Sequence, residues 1–133
     1  MDYNELISIA VNAVKSAYAP YSEFTVGAAL LSEDGTVYTG CNIENASYGA
    51  TSCAERTAFY EAVKSGKRKF TAICIVGGKN GIIKDYCFPC GICRQVMAEF
   101  CKSDFRIVLF NGRENKIFEL GSLLPFGFSG EVL

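Results

Sequence analysis

Two cysteine stretches set the strongest condition on how this chain folds: Cys53-Ala54-Glu55 and, well downstream, Cys87-Phe88-Pro89-Cys90-Gly91-Ile92-Cys93. If their thiolates share one ion, two distant segments must end at the same point in space. Thiolates hold Zn²⁺ well because the ion is borderline-soft; three protein ligands with a fourth position open make a catalytic site, and four close a structural one. The number of thiolates is therefore what the fold has to decide. The chain contains no histidine, so a Ser-His triad is excluded and any metal bound here must use sulfur and carboxylate.

Both stretches read as helix starts. Ser52 fits an N-cap for the periodic run Ala54, Ala58, Phe59, Ala62 and Val63, and Pro89 suits the first turn of a run through Val96, Met97 and Phe100. A helix N-terminus lowers a cysteine pKa, which readies Cys53 and Cys90 for a metal, and Cys93 lies one turn on from Cys90 on the same face. Cys87 precedes the proline, where the chain is pushed out of the α region, and is expected to point elsewhere. Glu55, two residues from Cys53, is turned beside the metal and could serve as general base to a water held there. Three other readings stand beside this one. Ser52-Cys53-Ala54-Glu55 also fits a capping box, in which the glutamate only satisfies a backbone N–H. A four-cysteine structural zinc including Cys87 would make a binding module. A redox pair built on Cys87 and Cys90, or on Cys90 and Cys93, would form a reversible disulfide.

Cys53-Ala54-Glu55-Arg56 followed by Pro89-Cys90-Gly91-Ile92-Cys93-Arg94-Gln95 resembles the signature of the small zinc-dependent cytidine deaminases in their three-cysteine form. The likeness extends to Phe24-Thr25-Val26-Gly27-Ala28-Ala29-Leu30, Asn42-Ile43-Glu44-Asn45-Ala46-Ser47-Tyr48 and Leu123-Leu124-Pro125, in the same order along nearly the whole chain. The resemblance implies hydrolytic deamination of cytidine and 2′-deoxycytidine, with one Zn²⁺ per subunit on Cys53, Cys90 and Cys93 and with Glu55 moving the proton. Arg56 and Arg94 are both placed to donate to a ligand sulfur, and the family favours Arg56. The resemblance also makes Phe24 an aromatic wall beside the base, Asn42 and Glu44 binders of the ribose hydroxyls, and Ala54 a backbone contact. It implies a homotetramer in which Ala46, Tyr48 and Phe128 reach a neighbouring subunit's ligand. Phe88 stands where many members have Ser or Thr, which bears on pocket size, and Cys87 adds a thiol close to the site.

The rest of the chain bounds these expectations. With 133 residues, half of them hydrophobic, the chain is sized for one domain spanning 1–133. A formal charge of −1 with scattered lysines and arginines favours a small substrate over nucleic acid. No signal peptide and no apolar run of about 20 residues is read, so a cytoplasmic protein away from membranes is expected. An odd number of cysteines, seven, fits reduced thiols and metal ligands better than disulfides. Leu6, Ile9, Ala10, Ala13, Val14 and Ala17 predict a first helix up to Ala19-Pro20. Strands are predicted at Phe24 to Leu31 and Thr36 to Cys41 around an Asp34-Gly35 turn, at Ala72 to Val76 stopping at Gly77-Gly78, and at Arg106 to Phe110 and Lys116 to Leu120 around Asn111-Gly112. Helices alternating with buried strands imply an α/β fold, and the family resemblance makes it a three-layer α-β-α sandwich around a mixed five-stranded sheet.

Overall fold

Strands whose successive residues are all apolar have two faces to bury, and the computed structural model, which describes residues 2–133, covers both. Helix α1 (Tyr3–Ala13) is followed by a 3₁₀ turn at Val14–Ser16, strands β1 (Phe24–Ser32) and β2 (Val37–Cys41), and helix α2 (Ala54–Lys64). Then come β3 (Phe70–Lys79), α3 (Gly91–Phe100), β4 (Arg106–Phe110), β5 (Asn115–Glu119) and the short α4 (Leu120–Leu123). The strands form one sheet in the order β2-β1-β3-β4-β5. Only β3 and β4 run parallel, joined by the α3 crossover, while the other three pairs are antiparallel.

The period-2 alternation of strands sorts the core into two layers. Ala28 and Leu30 of β1, Ile73 and Ile75 of β3, and Ile107 and Leu109 of β4 pack under Ala58, Phe59 and Ala62 of α2 and Met97 of α3. Phe59 is the hub of this layer, with ring centroids of Phe70, Phe100 and Phe105 at 5.2, 6.1 and 6.1 Å. The opposite face, Ala29, Leu31, Ala72, Cys74, Val76 and Val108, is covered by Leu6, Ile7 and Ala10 of α1. Two glycines set how closely helices approach the sheet. A Cβ at Gly27 would lie 2.3 Å from the Ala10 carbonyl oxygen of α1, and one at Gly40 would lie 2.2 Å from the Ala54 carbonyl oxygen of α2.

Four boundaries differ from the sequence expectation. The first helix leaves α geometry after Ala13 and tightens into the 3₁₀ turn, well before Pro20. Strand β3 runs through Gly77 and Gly78, which pair with Val26 and Thr25, because the returning chain lies so close that a Cβ at Gly78 would fall 1.8 Å from the Ile82 carbonyl oxygen. Ser52 is not the cap of α2, whose N-cap is Cys53, and Pro89 lies just outside α3, whose N-cap is Cys90. Helix α2 ends as expected, with Gly66 at φ +94° and Lys67 N–H reaching back to the Ala62 carbonyl at 3.0 Å.

Candidate active site

The two cysteine helices meet at their N-termini. Cys53 and Cys90 have extended backbones (φ −73°, ψ 157° and φ −68°, ψ 169°), and neither helix has a side chain capping its first N–H groups. The capping-box reading of Ser52 and Glu55 does not hold, since the Ser52 N–H already donates to the Ile43 carbonyl at 3.0 Å and its hydroxyl lies against Cys53 O and Thr57 Oγ1. Thr57 Oγ1 sits 3.0 Å from the carbonyl oxygens of both Cys41 and Cys53, which ties the start of α2 to the end of β2.

The sulfurs of Cys53, Cys90 and Cys93 all lie within 4.8 Å of one another, with Cys53 to Cys90 at 3.8 Å and Cys90 to Cys93 at 3.5 Å. A tetrahedral ion with bonds of about 2.3 Å sets neighbouring sulfurs about 3.8 Å apart, a spacing close to the two short distances here. Cys87 stays out of this cluster, as expected. Its sulfur packs toward Gly77, and burial, with the nearby charges of Glu55 and Cys53, pushes its thiol up to about 12, which keeps it protonated. Among the described residues the metal-competent group is thus three cysteine sulfurs, those of Cys53, Cys90 and Cys93. A proton donated by Cys93 and the Arg56 guanidinium together hold Cys53 down at about 5 against the cost of its burial, while Cys93, the donor and itself buried, is pushed up.

Glu55 is only 4 % exposed, and that burial raises its carboxyl to about 7, with the Cys53 charge adding to the shift. Arg56 Nη2 donates to Cys53 Sγ at 3.2 Å, and its Nε is buried with no partner. Arg94, which the sequence also allowed as a sulfur donor, does something else. Its Nε donates to Pro89 O at 2.8 Å and its Nη1 to Leu123 O at 2.7 Å, pinning the C-terminal segment to the start of α3.

A cleft of about 240 Å³ opens over these groups. Phe24, Val26, Asn42 and Glu44 line it together with Cys53, Ala54, Glu55, Cys87, Phe88 and Cys90. Phe24, Asn42, Glu44, Ala54 and Glu55 are therefore brought together with the metal cluster. Ala46, Tyr48 and Phe128 are not. Tyr48, 78 % exposed, lines a neighbouring cleft of about 350 Å³ edge-on to Tyr21, with ring centroids 6.4 Å apart. Ala46 is exposed, and Phe128, 61 % exposed, is held by Gln95 Nε2 donating to its carbonyl at 2.9 Å. Phe88 leans on Phe118 of β5, centroids 5.4 Å apart. Ser22 also lines the cleft and was not singled out from the sequence; its hydroxyl accepts from Phe24 N–H at 3.0 Å and donates to Glu44 Oε2. A serine two residues before a strand, bonding its own chain at i+2, is the signal that could have found it.

Comparison with known proteins agrees with this geometry. The family model described as the cytidine and deoxycytidylate deaminase zinc-binding region matches residues 1–109. A cytidine deaminase of Sporosarcina psychrophila is 48% identical over 134 residues, covering 100% of this chain and 96% of that relative. The crystal structure of cytidine deaminase from Burkholderia pseudomallei superposes with a TM-score of 0.89 at 46% identity, over 96% of this chain and 100% of that one. That from Mycobacterium tuberculosis gives 0.80 at 41%, over 96% and 99%. The solved relatives superpose over nearly the whole chain, and a three-cysteine cluster at two helix N-termini suits a zinc-binding region of this description: the chain belongs to the cytidine and deoxycytidylate deaminase family.

Proposed function

We propose that this chain hydrolyses cytidine and 2′-deoxycytidine to uridine and 2′-deoxyuridine with release of ammonia, as a cytoplasmic enzyme of pyrimidine salvage. The observation that carries the reading is the buried Glu55 carboxylate beside three converging thiols at the floor of an aromatic-walled cleft. Cys53, Cys90 and Cys93 would hold the zinc, which supplies the Lewis acidity that brings a water's pKa toward neutrality. Arg56, donating to Cys53, withdraws charge from an all-thiolate ligand set that would otherwise be electron-rich. Phe24 flanks the base and fixes C4 of the pyrimidine over Glu55. Glu55 takes one proton of the attacking water as it adds to C4 and delivers it to ring N3. It then takes the second proton, from the new C4 hydroxyl, and passes it to the exocyclic amine, so that the C4–N bond breaks, ammonia leaves and C4 becomes a carbonyl. Asn42 and Glu44 lie toward the sugar, and the main chain at Ala54 and the carbonyl of Phe88 flank the reacting edge.

The assembly belongs to the same proposal. Tyr48 and Phe128 sit outside their own chain's cleft and are largely exposed, as is Phe126, and exposed apolar groups of this size mark an interface. A homotetramer in which Ala46, Tyr48 and Phe128 complete a neighbour's site accounts for them. The nucleoside is the partner; a charge of −1 offers nothing to a nucleic acid, and no helix among the described residues is long and apolar enough to cross a membrane.

Metal analysis combined with ultraviolet-monitored turnover of cytidine tests the activity. About one zinc per chain with steady conversion to uridine is expected, whereas full zinc without turnover would turn the reading to a metal-stabilised binding module. Light scattering with the Michaelis constant of Phe128→Ala tests the assembly. A tetramer is expected, with nucleoside binding weakened by about 1–3 kcal/mol as for a lost base-aromatic stack; a fully active monomer would refute shared sites.

A further inference from the structure

Strand β1 outruns its neighbour. Its register with β2 ends at Gly27 against Cys41, while on the other edge Phe24, Thr25 and Val26 continue to pair with β3. The main-chain groups of Phe24 and Val26 on the β2 side therefore have no strand to meet, and side chains take them instead. Asn42 Oδ1 accepts from Val26 N–H at 2.9 Å, its Nδ2 donates to Phe24 O at 2.8 Å, and its own N–H donates to Val26 O at 3.3 Å. Ser22 Oγ accepts from Phe24 N–H at 3.0 Å and donates to Glu44 Oε2, and the other Glu44 oxygen accepts from the N–H groups of Tyr21 and Ser22, both at 3.1 Å. Between Ser22 and Phe24, Glu23 is held at φ +59°, a left-handed conformation that a non-glycine residue keeps only when its surroundings impose it.

We propose that Ser22, Asn42 and Glu44 form a clamp on the main chain of Phe24 that fixes the pitch of its ring in the cleft, with Ser22 a positioning residue for the nucleobase. The inference rests on the nucleoside reading above for its ligand, and on the hydrogen bonds alone for the clamp. Each amide atom of Asn42 has one bonding position engaged by β1, and each Glu44 oxygen is engaged by the segment leading into β1. Removing either side chain therefore tilts an aromatic wall as well as removing a polar group near the sugar. Ser22 bears on the wall without being a sugar-binding group of its own, because its hydroxyl proton is committed to Glu44 and its oxygen accepts from Phe24 N–H. Both Glu44 oxygens keep main-chain and side-chain partners of the same segment within reach. A ligand whose sugar lacks the 2′- and 3′-hydroxyls should feel its loss as strongly as one that has them.

The test measures binding of uridine and of 2′,3′-dideoxyuridine by calorimetry to the zinc-loaded wild type, Ser22→Ala, Phe24→Ala and the double variant, with amide exchange followed at Phe24 and Val26 in Ser22→Ala and Asn42→Ala. Ser22→Ala is expected to weaken both nucleosides by the same factor, about tenfold for one lost bond and its consequences, at unchanged zinc content, and to add nothing once Phe24 is alanine. The Phe24 amide should exchange faster in Ser22→Ala, and the Val26 amide in Asn42→Ala. A loss confined to uridine, or additive effects in the double variant, would overturn the clamp and leave direct hydroxyl recognition. If the wild type binds neither nucleoside the reading of function falls instead, and amide exchange still decides the clamp: unchanged protection at both positions refutes it.

Discussion

The N-termini of α2 and α3 can be compared position by position. Both are capped by a metal-ready cysteine, Cys53 or Cys90, without a side-chain hydrogen bond to the open N–H groups. Two places further on, α2 carries Glu55 at 4 % exposure and α3 carries Ile92 at 62 %. The ordinary preference is reversed, with the ionisable group inside and the apolar one outside. At the next place α2 has Arg56, donating to the Cys53 sulfur, and α3 has Cys93, the third member of the metal-competent cluster. On the proposed reading, one terminus would handle protons and tune charge, while the other would help anchor the ion and turns an apolar side chain outward. The difference teaches that two similar helix starts are specialised by what surrounds them, since α2 begins against the floor of the cleft and α3 at its rim.

If that division is right, the common element should fail most severely. Cys53→Ala, Cys90→Ala and Cys93→Ala are each expected to lose zinc, measured by atomic absorption, with turnover abolished and the melting temperature lowered. A variant that keeps a full equivalent would show that the two termini do not share the ion. Next in size, Glu55→Gln should retain zinc and fold yet lose about 10²–10⁴-fold in turnover, the usual share of a general acid-base; zinc loss there would make Glu55 a ligand and erase the contrast with Ile92. The two arginines sharpen the comparison further. Arg56→Ala should cost roughly 10- to 100-fold in activity or zinc affinity, while Arg94→Ala should leave the chemistry nearly intact and cost about 1–3 kcal/mol of stability by freeing the Pro89 and Leu123 carbonyls. Equal kinetic losses in the two would contradict the assignment. Smallest of all, Cys87→Ala should keep its zinc and most of its turnover, with a stability change of about 1 kcal/mol. A metal-depleted Cys87→Ala would restore the four-thiolate site.

Much of this was legible because it is written locally. The Asp34-Gly35 and Asn111-Gly112 turns, with glycines at φ +92° and +96°, announce their hairpins, and the double-sided apolar runs announce a covered sheet. The metal ligands and Glu55 stand out because few chemistries need that spacing. What stayed hidden depends on approach between segments distant in the chain. Gly77 and Gly78 look like a strand end, yet they continue β3 because the loop around Ile82 passes against them. Ser52 looks like a cap, but its N–H is taken by Ile43 from across the loop, and the cap moves to Cys53. Asn42 and Glu44 were expected to bind the sugar and do line the cleft, but their part as struts was illegible, since nothing local says that β1 extends past β2 and needs side chains to finish it.

Gly40 lies on β2 and does not itself line the cleft, yet its missing Cβ sets the distance between the sheet and the first turn of α2. Any larger residue there lifts the Ala54 carbonyl, and with it Cys53 and Glu55, off their seats together. In a screen that scores only conversion, such a lesion is indistinguishable from a ligand mutation. For an engineer reshaping this pocket, position 40 is a datum to leave untouched while the walls are altered, because the tolerances of the whole catalytic floor are measured from it.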